Sequence, residues 1–206
     1  MAATVSRREF LVMGGLTTLA ATLPPAAGAS EPAPTPAAAA TLTPGGQRMK
    51  VYFSDPQFDY QLLRLLGEAP GGGSDIGECL TTAQRITEGD FESWYTEWYK
   101  TAQRIHALAD QSLAAGHTVS AREAYLRAAY YYRSAEFYLH GNPNDPRIEA
   151  TYDASIACFR QYNALSTPRA VTVEIPYEDT TLPGYFYSAG EAGGARRPTL
   201  IAQTGY

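Results

Sequence analysis

A chain of 206 residues with 45% hydrophobic and 18% charged residues has the make-up of an ordinary globular protein of one or two domains. Its net charge of -5 and lack of any basic run argue against a nucleic-acid partner, whose phosphates need clustered Lys and Arg, and against an acidic membrane surface. None of its cysteines or histidines falls at zinc-ligand spacing, so no metal is expected, and nothing implies a cofactor.

Residues 1–29 read as an export signal: a polar start, an apolar run over 10–23, then small residues to Ala29. The run is too short for a membrane span, which needs about 20 residues, so stable membrane insertion is not expected. Ser6-Arg7-Arg8-Glu9-Phe10-Leu11 resembles the twin-arginine signal, with Arg7, Arg8, Phe10 and Leu11 as the recognition residues. The resemblance implies the twin-arginine export machinery as a partner, transport in a folded state, cleavage after Ala29 and a periplasmic or extracellular location. A chance Arg-Arg before an ordinary secretory signal is the alternative, and it too places the protein outside the cytoplasm. Residues 30–47 are Ala, Pro, Thr and Gly with few large side chains and read as a disordered linker.

A helical region is expected over 48–168. Ser54-Asp55-Pro56 supplies a cap and a first-turn proline, and an apolar pattern follows to Gly67. After the loop Pro70-Gly71-Gly72-Gly73, Asp75 with Glu78 forms a capping box into a second helix reaching about Ile86. The glycine run is not a phosphate loop, because no Gly-Lys-Ser/Thr follows and no strand precedes it. The third and longest helix runs from the cap Asp90 to Gly116, with Phe91, Trp94, Tyr95, Trp98, Ala102, Ile105 and Leu108 near helical spacing. Those rings read as interhelical filling, with a substrate-facing role for one or two as the alternative.

Ser120-Ala121-Arg122-Glu123 is a second capping box, opening a fourth helix that continues to about His140. Asp145-Pro146 starts a fifth, with Ile148, Tyr152, Ile156 and Phe159 recurring at helical spacing. Short connections favour a compact helical bundle, and no period of about 34 residues suggests a tetratricopeptide array. Cys79 and Cys158 read as buried free thiols, with a disulfide formed after export as the alternative.

Beyond Pro168 the hydrophobic period changes to 2, with Val171, Val173 and Ile175 alternating with polar residues. A turn at 176–180, a returning strand over 182–187, a Gly-rich loop and a last strand over 198–202 follow. Residues 169–206 are therefore expected to form three strands.

The series Gly116-His117, Ser120-Ala121-Arg122-Glu123-Ala124-Tyr125-Leu126, Tyr131-Tyr132-Arg133-Ser134-Ala135-Glu136-Phe137, Val173-Glu174-Ile175-Pro176-Tyr177-Glu178, Leu182-Pro183-Gly184-Tyr185-Phe186 and Pro198-Thr199-Leu200-Ile201 resembles the α/β-hydrolases that carry a helical cap before the catalytic sheet. It is most similar to the branch containing 2,6-dihydropseudooxynicotine hydrolase and the fungal polyketide-shortening hydrolases. The resemblance implies an α/β fold, a helical bundle (cap) followed by the first three strands of the hydrolase sheet. It further implies a small-molecule substrate and a Ser nucleophile on a Gly-x-Ser-x-Gly elbow, with an acid and a His later in the chain. Gly205 and Tyr206 match the start of the oxyanion loop, and residues 52–166 would shape the substrate pocket.

No Gly-x-Ser-x-Gly occurs in these residues. His106, His117 and His140 all precede the strands, so family order excludes them as the triad His. The chain on its own is therefore expected to be inactive, with its substrate-binding residues unassigned. The alternative reading is a self-contained exported helical module that binds without catalysis.

Overall fold

The computed structural model describes residues 50–189 and 198–202. The signal residues Arg7, Arg8, Phe10 and Leu11, the linker, and the oxyanion-loop candidates Gly205 and Tyr206 lie outside them. Among the described residues two units are distinguished: one contains 50–172, 185–189 and 198–202, the other 173–184.

The helical unit opens with α1 (Pro56–Gly67), a 3₁₀ turn (Ala69–Gly71) and α2 (Ile76–Ala83). It continues through α3 (Phe91–Ala114), α4 (Thr118–Ala135), a 3₁₀ helix (Glu136–Gly141) and α5 (Pro146–Leu165). Four α-helices begin where an aspartate accepts from the free N–H groups of the first turn: Asp55 on α1, Asp75 on α2, Asp90 on α3 and Asp145 on α5. α4 differs. It starts at Thr118, two residues before the expected Ser120, and its cap residue His117 makes no side-chain cap bond.

The reason lies in the turn before it. Gly116 adopts φ +78, a left-handed conformation that glycine enters without steric cost. The His117 N–H then donates to the Ser112 carbonyl and the Gly116 N–H to that of Leu113, closing α3 with a Schellman pair. The His117 carbonyl meanwhile accepts from Ala121 N–H in the first turn of α4. One backbone unit thus ends one helix and begins the next, which leaves Ser120 inside α4 and Glu123 beside Arg122 instead of in a capping box.

α3 packs on α4 and α4 on α5. The small residues Ala121, Ala124, Ala128 and Ala135 of α4 are buried, and they let its neighbours approach its axis closely. Trp94, Trp98, Ala102, Ile105 and Ala109 form the buried stripe of α3. Phe91, the first ring of the expected stripe, is 48% exposed but stacks on Tyr138 at 4.5 Å, and Tyr138 stacks on Phe58 of α1 at 5.1 Å. Burying such rings contributes about 1.5–3 kcal/mol each.

Polar groups tie the shorter helices in. Asp59, on the buried side of α1, accepts from the backbone N–H groups of Val51, Tyr52 and Phe53, which holds the incoming chain against the helix. The Asp75 cap accepts from Glu78 N–H, but the return bond of the expected box is absent. Instead Asp75 N–H donates to the Tyr131 hydroxyl, which donates to Glu78, and Arg127 donates to the same carboxylate oxygen. α2 is thereby docked on α4 by a relay linking residues 49 to 56 apart. Both cysteines are free and buried.

The other unit is the turn end of a hairpin. β1 (Val171–Tyr177) and β2 (Thr180–Phe186) form a two-stranded antiparallel sheet joined by the two-residue turn Glu178-Asp179. Gly184 lies against Val173: a Cβ there would be 3.1 Å from its side chain. Most of the hairpin side chains are exposed. Residues 198–202 carry no strand hydrogen bonding, and Leu200 is 91% exposed, so the described sheet holds two of the three expected strands. A strand forms only against a neighbouring ladder, and no described strand offers one to this segment.

A candidate ligand cleft in the helical unit

Where α1, α3, α4 and the following 3₁₀ helix converge they leave a cleft of about 120 Å³. Its apolar lining comes from Leu65, Trp94 and Phe137, and its polar rim from Gln61, Arg64, Glu68, Tyr130, Arg133 and Ser134. Trp94 is fully buried and its indole N–H donates to the Ser134 carbonyl at 2.9 Å, which fixes the ring. Arg64 lies over the Phe137 ring, 6.0 Å from its centre, and donates to the Gln61 side chain.

Tyr130 forms one wall. Burial, with the charge of nearby Glu68, pushes its hydroxyl above the ordinary tyrosine value. Its ring lies so close to Gly73 that a Cβ there would come within 2.8 Å of it. The glycine run that resembled a phosphate loop in composition therefore serves, at Gly73, to let this ring approach the backbone.

Arg133 is held from behind. Its guanidinium donates to Glu136, which is only 2% exposed, and His140 lies 3.7 Å from the same carboxylate oxygen. The second oxygen of Glu136 has no hydrogen-bond partner among the described residues. A buried carboxylate without its cation is strongly disfavoured, so Arg133 is bound to stay at the rim. The pairing of Glu136 with Arg133 was legible from their spacing; the burial of Glu136 was not.

The other histidines stand apart from this cleft. His106 on α3 sits between the rings of Tyr125 and Tyr132, with Nδ1 3.3 Å from the Tyr132 hydroxyl, and is partly buried. Tyr125 donates to Asp110 at 2.6 Å, and burial together with that bond pushes its hydroxyl up to about 12. A shallower basic cleft of about 450 Å³ lies at the end of α5, bordered by Arg160, Asn163, Arg169 and Val171. Among the described residues no group of three or more His, Cys, Asp or Glu could hold a metal ion. No described helix is long and apolar enough to cross a membrane.

Comparison with known proteins gives no family model that matches. It does give relatives. The chain is 48% identical over 139 residues to 20-hydroxy-prefusarin hydrolase FUS2 of Gibberella moniliformis, a match covering 67% of this chain and 33% of that protein. It is 44% identical over 143 residues to hydrolase acrC of Aspergillus aculeatus, with 67% and 33% covered. Against alpha/beta hydrolase psoB of Aspergillus fumigatus it is 40% identical over 159 residues, with 74% and 36% covered.

The chain is a relative of the α/β-hydrolases.

It spans about a third of the length of the curated hydrolases it matches. Among solved structures, 2,6-dihydroxy-pseudo-oxynicotine hydrolase matches with 21% identity and a TM-score of 0.47, over 61% of this chain and 32% of that one. The helical region followed by a two-stranded antiparallel sheet agrees with the hydrolase fold that the sequence suggested.

Proposed function

We propose that these residues form the helical cap and first strands of an exported serine α/β-hydrolase that cleaves an ester, an amide or a carbon-carbon bond beside a carbonyl in a small molecule. The observation that carries this reading is the 48% identity over 139 residues to a fungal hydrolase, a level reached with a protein of which this chain covers one third. Attack on a carbonyl needs a nucleophile, a base and donors for the oxyanion. In this reading Gly205 and Tyr206 begin the oxyanion loop, while the nucleophile and the triad acid and His come from sequence outside these residues. The chain by itself is then inactive, and its helices shape the substrate pocket. The paired Arg7 and Arg8 with Phe10 and Leu11 direct the protein to the twin-arginine machinery, and the mature protein works in the periplasm or outside the cell.

The test starts from the intact mass of the natively produced protein, its cell fraction, and its labelling by a serine-directed fluorophosphonate. A longer product, labelled at a serine in Gly-x-Ser-x-Gly and found outside the cytoplasm, is expected. A native product ending at Tyr206 that resists the label sinks the catalytic reading and leaves a helical binding module. Cytoplasmic retention that persists when Arg7 and Arg8 are both intact overturns the export reading alone.

A further inference from the structure

The wider cleft, at the end of α5, is built by one buried side chain. Asn163, only 8% exposed, accepts from the Ala170 N–H at 2.8 Å and donates to the Ala170 carbonyl at 3.0 Å. This double bond folds residues 164–170 back on the helix and fixes Ala170 and Val171 beside Arg160 and Ala164. All of the lining belongs to the helical unit, and the volume of about 450 Å³ is that of a small-molecule site.

Its charge has one sign. Arg160 and Arg169 border the cleft and no carboxylate lines it. The end of a helix ordinarily disfavours an anion, because its last four carbonyls lack partners. Here three of those four are taken: Tyr162 by the Ser166 hydroxyl, Asn163 by the Ser166 N–H and Ala164 by the Arg169 guanidinium at 2.6 Å. A guanidinium has five N–H donors in a fixed fork, so most of those on Arg169 are left for a ligand. Arg160 makes no side-chain hydrogen bond or salt bridge among the described residues. It stands one turn before Ala164 on the same helix face, about 6 Å along the axis, within reach of the anchored Arg169 head.

We propose that this cleft binds the phosphate monoester of a small apolar alcohol or phenol, with the phosphate on Arg160 and Arg169 and the ester group along Val171 and Ala164. A phosphate monoester carries about two negative charges at pH 7, which two guanidiniums balance. Each guanidinium can meet its oxygens through paired hydrogen bonds. Val171, 59% exposed, and the exposed Ala164 offer apolar surface to the ester group. No group of the hydrolase reading takes part, so either can fail alone.

Phenyl phosphate, inorganic phosphate, benzoate and phenyltrimethylammonium are titrated into the full chain while the amide resonances of Asn163, Ala170 and Thr172 are followed by NMR. Phenyl phosphate is expected to give a saturable shift with a Kd of about 1 mM or tighter, weakening with added salt. Inorganic phosphate, which lacks the ester group, and benzoate, which brings one charge, are expected to bind about fivefold more weakly or worse. Arg160→Gln alters an exposed side chain without described partners and is expected to weaken phenyl phosphate about fivefold or more, with the far-UV dichroism unchanged. If phenyl phosphate gives no saturable shift at these amides, if the ammonium ion binds as tightly, or if Arg160→Gln binds as the native chain does, the proposal is overturned. Equal binding of inorganic phosphate overturns the part given to Val171 and Ala164. The ligand series on the native chain decides the matter even if the variant fails to fold.

Discussion

Arg147 shows how much can converge on a single residue at the start of a helix. Its guanidinium donates to Asp145 and to Glu92, and it lies over the Tyr95 ring at 4.7 Å. Hydrogen bonds from the Arg147 side chain and backbone hold the Asp145 carboxyl down to about 2, from an ordinary 3.8. The Glu92 carboxyl is lowered by the same guanidinium. A carboxyl depressed in the folded state stabilises the protein above its unfolded value and loses that contribution as pH falls towards its folded value. The loss for Asp145 thus falls between about pH 4 and pH 2, where the folded protein takes up fewer protons than the unfolded chain. Asp145→Asn is expected to flatten the fall in unfolding midpoint across that range, measured by thermal melts at steps of pH. An unchanged slope would show that the contact is lost in solution. All these groups are exposed to screening, so the effect should shrink in high salt.

At the scale of helices and strands, the sequence was most legible where an aspartate precedes a helix. Asp55-Pro56, Asp90 and Asp145-Pro146 each mark a start that the structure repeats, because an aspartate beside free N–H groups has few better roles. The pattern Ser120-x-x-Glu123 looked the same and did not serve as a cap. The Schellman closure at Gly116 and His117 leaves no room for a loop before α4, and the pattern has no means of showing that. α4 consequently begins without a side-chain cap. His117→Ser is expected to raise stability by about 0.5–1 kcal/mol by supplying one, read as a higher urea midpoint at unchanged m-value. A lower midpoint would mean that the imidazole makes a contribution of its own. α2 ends at Ala83 instead of about Ile86, though Ile86 is still buried. The cleft was not legible at all. Its lining spans 61–137 and meets only through packing, and a glutamate near a helix end, such as Glu136, reads as a surface residue.

For the molecule as a whole, the two thiols report on the helical core. Burial pushes the Cys79 thiol up to about 11 and that of Cys158 up to about 12, in each case well above the ordinary 9.0. A thiol in this state presents almost no thiolate at neutral pH, and thiolate is the reactive form. Neither cysteine is expected to react with an aromatic disulfide reagent in the folded protein at pH 8, and both should react together once denaturant unfolds the helices. Fast reaction of one alone would show that its helix opens separately. The hairpin stands in contrast, since a two-stranded sheet by itself is marginal in water and its side chains are mostly exposed. The period-2 pattern located both strands, while the apolar run at 198–202 has no pairing partner among the described residues and so no ladder.

The hand-over at Gly116 and His117 also bears on how the chain reaches this state. Closing a short loop costs little entropy, and contacts between neighbours in sequence form sooner than contacts between distant segments. α3 and α4 are such neighbours, and the buried faces of Trp98, Ile105, Ala124 and Tyr131 lie on them. Their pairing is therefore the natural nucleus, with α5 adding next along α4. The docking of α2 has to wait, since Glu78 finds Arg127 and Tyr131 only after α4 exists. Segments that come earlier in the chain are thus completed later in time, and until then the apolar sides of α1 and α2 have nothing to cover them.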